Sequence, residues 1–141
     1  MTINTILAEV SSQVTALKSH GIGTRSYSNA EMDYKLFPRS WVFSIGTEIT
    51  LIQSGAFTKK YRVVMDIDDL INFGATSTEI ITKLDEISPY VDLFISKLYQ
   101  RQEVVSLTDV KAEQVIHEFD ANVVGFLLSF NITLQEDITY C

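Results

Sequence analysis

The feature that most constrains this chain is a run of alternating apolar residues across positions 119–136. A period of two places one set of side chains on a single face of a β-strand. That set comprises Val124, Phe126, Leu128, Phe130, Ile132 and Leu134. The opposite face changes from apolar at Val123 to polar at Asn131 and Thr133, so it should be covered at one end and wet at the other. The residues predicted to form the core of this strand are Phe126, Leu128, Phe130 and Ile132.

A second strand-like segment, residues 104–119, precedes this run, and Asp120 and Asn122 supply turn chemistry between the two. The pattern predicts a C-terminal β-hairpin. Its register should be firmly set, because a slip of one residue exchanges the buried and exposed faces. A strand of this length spans roughly 45 Å, so we expect it to reach past the core or to lie at a subunit boundary.

Residues 40–53 and 57–68 predict a second long hairpin, with a turn at 53–56. Trp41, Phe43 and Ile45 alternate, and a change of phase at Gly46 indicates a bulge or kink there. The second strand has an apolar face of Tyr61, Val63, Met65 and Ile67. Its other face carries Lys60, Arg62, Val64, Asp66 and Asp68.

Two segments have helical periodicity. Residues 2–20 predict an amphipathic helix with Thr2 as N-cap and Gly21 at its end. Residues 76–100 predict either one kinked helix or two short ones, because Ser88 and Pro89 fit a fresh helix start. Residues 21–39 have no clear period, and Pro38 marks the beginning of the next strand.

The resulting element order, α-β-β-α-β-β, predicts an α+β fold. We expect an antiparallel or mixed sheet built from two long hairpins, with both helical segments on one face. The length of 141 residues fits a single domain, residues 1–141, with an exposed C-terminal tail at 136–141.

Composition and net charge narrow the classes of protein to which this chain can belong. No apolar stretch is long enough for a transmembrane helix and no signal peptide is recognisable, so we expect a soluble protein with no membrane partner. The formal net charge is −7, whereas a general nucleic-acid binder carries a basic patch. An acidic protein can nevertheless surround DNA, because repulsion keeps the polymer off a channel wall.

Asp66, Asp68 and Asp69 form the densest carboxylate cluster. Asp66 and Asp68 share a strand face, so they could hold a divalent cation through oxygen ligands. The simpler interpretation is a solvated strand end, and we expect no metal site. The same three residues are candidates for an interface, or for the acidic wall (lumen) of a channel that surrounds DNA.

The residues that nucleophilic catalysis needs are sparse. His20 and His117 are the only histidines, and Cys141 is the only cysteine and the last residue. His20 near a predicted helix C-terminus is explained by the helix dipole. We therefore predict that the protein is not an enzyme and needs no cofactor.

Lys59, Lys60 and Arg62 form the best basic patch, beside the predicted hairpin tip at Gly55. Such a patch can be a docking surface for an acidic partner, or only a charged edge that blocks unwanted strand pairing. We predict that Gly55, Lys59, Lys60 and Arg62 face a partner.

Taken in order, the chain resembles the tail terminator (tail completion) proteins of long-tailed bacteriophages. The resemblance rests on the N-terminal amphipathic helix at 3–17, a strand that begins after Phe37 and Pro38, a hairpin, a helical segment, and the closing strand at 119–130. It covers most of the chain, in topology and pattern rather than by a diagnostic motif.

The resemblance implies a structural virion protein of the tail or neck, assembled in the host cytoplasm. Such proteins form a homo-oligomeric ring, usually a hexamer, that caps the tail tube protein and meets the head–tail connector protein. DNA passes through the lumen without specific binding. Three alternatives remain: another neck or head–tail connector component, a non-viral α+β binding or adaptor domain, or an enzyme that uses the acidic cluster.

Overall fold

A computed structural model describes residues 2–24, 34–51, 57–72, 74–118 and 122–135. The predicted turn at 53–56 with Gly55, and the tail at 136–141, lie outside these residues. The described part contains two helices, α1 (Ile3–Gln13) and α2 (Ser77–Tyr99), and a short 3-10 turn at Tyr34–Leu36. Its five strands are β1 (Ser19–Ile22), β2 (Arg39–Leu51), β3 (Phe57–Ile71), β4 (Val104–Glu118) and β5 (Asn122–Leu134).

The strands form one sheet in the order β1-β2-β3-β5-β4. Strand β1 runs parallel to β2, and the other neighbours are antiparallel, so the sheet is mixed. The α+β class is therefore confirmed. The element order is α-β-β-β-α-β-β, because β1 adds a strand that the sequence pattern did not predict.

The core lies between the helices and one face of the sheet. On β3 this face carries Tyr61, Val63, Met65 and Ile67, as predicted, and all four are buried. Helix α1 contributes Ile6, Leu7 and Val10, and α2 contributes Leu84, Ile87, Val91, Phe94 and Leu98. We call this the helix-covered face, and the opposite side of the sheet the outer face.

The predicted core residues Leu128, Phe130 and Ile132 are confirmed, since all three are fully buried. Phe126 differs: it lies opposite Gln114 of the edge strand β4 and is only partly buried against the core. The apolar alternation of β5 is correct, but a polar neighbour on the sheet edge leaves this one ring partly accessible.

Helix α1 begins as predicted and ends early. The Thr2 hydroxyl accepts a hydrogen bond from the Thr5 N–H at 3.2 Å, which confirms the N-cap. The helix ends at Gln13, and the predicted extent to residue 20 with Gly21 as terminator is wrong. The later apolar residues Val14 and Leu17 are buried without being helical, because the chain turns there to place β1 beside β2.

Helix α2 is one continuous helix that passes through Pro89, so no second helix starts at Ser88. It begins with a capping box: the Glu79 N–H donates to the Thr76 hydroxyl at 3.3 Å, and the Glu79 carboxylate accepts from the Thr76 N–H at 3.4 Å. Neither described helix has the length and apolar character of a membrane span.

The bulge in β2 lies between Val42 and Ser44, and the prediction of a phase change at Gly46 is wrong. Phe43 is the extra residue. Trp41 therefore pairs with Asp66 on the outer face, whereas Ile45 pairs with Val63 on the helix-covered face.

Burial ranks the β5 aromatics by their contribution to stability. We expect Phe130→Ala to lower the free energy of unfolding by about 3–5 kcal/mol, because it leaves a cavity in a fully buried site. The matched variant Phe126→Ala should cost clearly less, because its ring is already partly in water. Chemical denaturation of both variants measures this. A larger loss for Phe126→Ala would mean that the core is centred elsewhere.

Candidate functional site

The distal half of the β2–β3 hairpin, residues 44–51 and 57–62, is largely exposed, and we call it the hairpin arm. Strand β1 ends opposite Val42, and β5 pairs with β3 only as far as Lys60. The last described pairs, from Ile49 with Lys59 to Leu51, are therefore made by β2 and β3 alone. The end of the arm, residues 49–51 and 57–59, thus extends beyond the rest of the described sheet.

The face of the arm that continues the helix-covered face is apolar. Ile49 is 55% exposed and Leu51 is 79% exposed, and both follow Ile45 at alternate positions. No described helix residue covers them, since the buried core cluster reaches only Tyr61 and Val63 on this part of β3. Two large aliphatic side chains thus stand in solvent at the end of the hairpin.

The structure divides the predicted basic patch between the two faces of the arm. Lys60 pairs with Glu48 and Arg62 pairs with Gly46, so both lie on the polar outer face. Lys59 pairs with Ile49 and lies on the apolar face. Lys60 and Arg62 border a depression of about 390 Å³ together with Glu48, Thr47 and Asn131.

Arg62 is also part of a hydrogen-bonded row across three strands. Its Nη1 donates to Asn131 Oδ1 at 3.3 Å, and Asn131 Nδ2 donates to Asp109 Oδ2 at 2.8 Å. Asp109 lies at a bulge of β4 with a φ of 53°. The row joins the base of the arm to the far edge of the sheet.

At the other end of the outer face, an ion pair is buried. Arg39 Nε donates to Asp68 Oδ1 at 3.3 Å, and the two side chains are 1% and 0% exposed. The Arg39 guanidinium carbon lies 4.5 Å from the centre of the Phe37 ring and 4.9 Å from that of Trp41. Two aromatic faces therefore contact the cation while its charge is compensated by a carboxylate.

The assignment of Asp66 and Asp68 to an acidic lumen or a solvated strand end is wrong. Both are fully buried within a single chain, because they share the outer face with Trp41 and Arg39, to which they are directly paired. Asp68 also pairs with Gly125, where a Cβ atom would collide with Ile67 O and the Asp68 backbone. Among the described residues, no group of three His, Cys, Asp or Glu side chains is placed to bind a metal.

The third acidic residue, Asp69, is partly exposed and pairs with Lys83 of α2 at 3.3 Å. Lys83 also contacts Glu86 at 3.2 Å. Asp69 thus fastens the end of β3 to α2 and has a structural partner within the chain.

Gly21 lies in β1 opposite Trp41, and a Cβ atom there would collide with the indole ring. The Trp41 Nε1–H donates to the Gly23 carbonyl at 3.1 Å. The indole therefore lies flat across β1, and this position requires glycine for close approach rather than for ending a helix.

His20 belongs to a buried hydroxyl network on the helix-covered face. The Ser40 hydroxyl lies 2.7 Å from His20 Nδ1 and 2.8 Å from the Ser11 hydroxyl. A serine beside a histidine is the arrangement of a nucleophile and its base. Ser40 is fully buried, however, so no substrate carbonyl can reach it, and the network instead joins α1, β1 and β2.

Sequence reasoning missed Arg39, Ser40 and Ser11 as site residues. A charged residue directly after Pro38, at the start of a strand, was the available signal for Arg39. The side chain of His117, the other histidine considered as a candidate, lies outside what the structure describes. Comparison with protein-family models finds no match for this chain, and comparison with curated proteins finds no significant match.

Removing one member of the buried ion pair should be costly. We expect Arg39→Met to lower the free energy of unfolding by about 3–5 kcal/mol, because it leaves the Asp68 charge buried without its cation. The double variant Arg39→Met/Asp68→Asn should recover part of that loss. Denaturant unfolding of the two single variants and the double variant measures the coupling. Strictly additive losses would show that the two groups do not interact.

His20 makes stability depend on pH. Burial lowers the pKa of His20 below its ordinary value, so the unfolded chain takes up the proton first as the pH falls. The contribution of neutral His20 to the free energy of unfolding is therefore fully present above pH about 6.5 and is lost progressively as the pH falls below that value. Unfolding free energies measured from pH about 5 to 8 should show this slope. It should disappear in His20→Gln and persist in His117→Gln; an unchanged slope in His20→Gln would contradict the assignment.

Proposed function

We propose that this chain is a structural virion protein of a long-tailed bacteriophage, a tail terminator whose copies form a ring at the end of the tail tube. The observation that supports it best is the hairpin arm. It carries Ile49 and Leu51 into solvent on the same face that forms the core, although the described core is complete without them. Exposed apolar surface continuous with a core is typical of a subunit interface.

A ring requires contacts between two different surfaces of each subunit, since a self-complementary patch produces a closed dimer. The arm supplies one such surface, toward the β2 edge of the sheet. The long strand β4 forms the opposite edge of the sheet and is exposed along residues 108–114. This separation fits head-to-tail assembly. The proposed partners are six or so copies of the chain, the tail tube protein and the head–tail connector protein.

The function has no catalytic step in this proposal. Ser40, the serine beside His20, is fully buried, and the carboxylates of β3 are buried or paired with α2. A net charge of −7 suits a ring through which DNA slides without being bound. The proposed ring is assembled in the host cytoplasm and remains in the neck or tail of the virion.

The decisive experiment is mass in solution by light scattering over a wide concentration range, with negative-stain images of the same samples and of samples mixed with tail tube protein. Closed rings support the proposal. A monomer or a simple dimer in every sample, including those with the tube, contradicts it and favours the adaptor alternative.

The arm should be required for assembly and dispensable for folding. We expect Leu51→Asp to shift the midpoint concentration of assembly upward by at least about tenfold, because a charge replaces an apolar contact worth at least about 1.4 kcal/mol. The matched control is Thr50→Asp, on the polar face of the same strand. Light scattering gives the midpoint, and denaturation checks that both variants remain folded. Equal effects of the two variants would exclude the apolar face as the interface.

A further inference from the structure

We propose that the hairpin arm of one subunit binds in the groove between α2 and β4 of a second copy of this chain. The inference rests on the proposed ring and specifies which surfaces meet. The groove has a volume of about 510 Å³. Its lining is mostly apolar and includes Tyr99, Leu107, Val110, Ala112 and Leu128, with Asp92 as the charged residue.

The groove exists because β4 presents small or displaced side chains to α2. Ala112 is the residue paired with Leu128 on the helix-covered face, and it is too small to fill the space beside the helix. The bulge between Thr108 and Lys111 interrupts the pairing of β4, and Val110 within it lines the groove. Tyr99 is 65% exposed and Val110 is 42% exposed, so the apolar walls are open to solvent in one chain.

The occupant is identified by its apolar character and its charge. The described arm presents an apolar face of Ile49 and Leu51, with one cation, Lys59, directly opposite Ile49 on the neighbouring strand. The groove presents an apolar floor with one anion, Asp92, in its lining. A charged pair at the edge of an apolar contact favours one register of docking. We therefore assign Lys59 of one copy to Asp92 of the next.

The other charges of the two surfaces lie away from this contact. Lys60 and Arg62 of the arm, and Lys111 and Glu113 of β4, are on the outer face of the sheet. Two copies of one acidic chain repel each other overall, so a local pair of opposite charges such as Lys59 and Asp92 is needed to bring them together.

The positions of the two surfaces favour a ring over a dimer. Thr133 of β5 pairs with Lys60 on one side and with Ser106 on the other, so the base of the arm and the start of the groove lie level across the sheet. The arm and the groove are on opposite sides of that level. The two surfaces are therefore separate patches of the chain, and a contact between them is head-to-tail, which is the kind of contact that a ring requires.

Two sets of variants test the contact, both in a Cys141→Ser background. In the first, a Leu51→Cys protein is mixed with a Val110→Cys protein under assembling conditions, with tail tube protein where that is needed, and oxidised. A disulfide requires the two Cα atoms within about 7 Å, so linked dimers should form at least about tenfold faster than with the control Thr50→Cys. Because each protein has one cysteine, a heterodimer reports contact between subunits.

The second set exchanges charges. Lys59→Glu and Asp92→Lys should each raise the midpoint concentration of assembly about tenfold, and the double variant Lys59→Glu/Asp92→Lys should restore it. The control Lys60→Glu, on the outer face, should not be rescued by Asp92→Lys.

The outcomes separate this contact from the proposed function. Rings that form without the Leu51–Val110 link and without charge rescue overturn the contact and leave the tail-terminator proposal standing. Specific linking within a closed two-subunit particle supports the contact and contradicts the ring. Cross-linking of Val110→Cys to tail tube protein instead of to the arm overturns the contact, and failure to assemble in any sample overturns both.

Discussion

The buried pair of Arg39 and Asp68 is the interaction on which the outer face of the sheet depends. A guanidinium and a carboxylate lose most of their hydration there, so they tolerate only arrangements in which they meet. That requirement fixes β2 against β3, and it also fixes what covers the pair, since the rings of Phe37 and Trp41 both contact the cation. The indole in turn requires the bare backbone of Gly21 in β1. The pair, the aromatic cover and the added parallel strand therefore form one unit.

The bulge at Phe43 is what makes this unit possible, and it is also where sequence reasoning failed. Without the extra residue, alternation from Ile45 would have put Trp41 and Arg39 on the helix-covered face; the predicted alternation of Trp41, Phe43 and Ile45 implied this for Trp41. Arg39 would then lie opposite Asp69 instead of Asp68. Nothing local in residues 40–46 marks the bulge, because Phe43 fits either phase. The register is decided by long-range pairing of Arg39 with Asp68, which one strand read alone cannot reveal.

Other parts of the fold were predictable because a single local signal dominates them. The alternation of β3 and β5 located the core of the sheet, with Phe126 as the exception at its margin. The Thr2 cap and the period of residues 76–100 located both helices. The end of α1 was not predictable from spacing, because Val14 and Leu17 satisfy a helical period while being buried by an irregular segment. Of the candidate site, the arm was anticipated as a projecting tip, but the division of Lys59 from Lys60 and Arg62 required the strand register.

The two ends of the sheet therefore differ in whether their side chains are paired within the chain or exposed. At the Arg39 end, charges are buried, paired and surrounded by aromatic rings, so that end is fixed within one chain. At the arm, apolar side chains are exposed and charges of both signs lie at the surface, so that end remains available to a neighbour. Burial also affects the charge that the chain presents at its surface, because Asp66, Asp68 and Arg39 do not reach solvent. In the proposed ring, any field presented to DNA would come from the remaining acids. Asp92 of α2 lies at the proposed subunit contact, where Lys59 of the next copy would neutralise its charge.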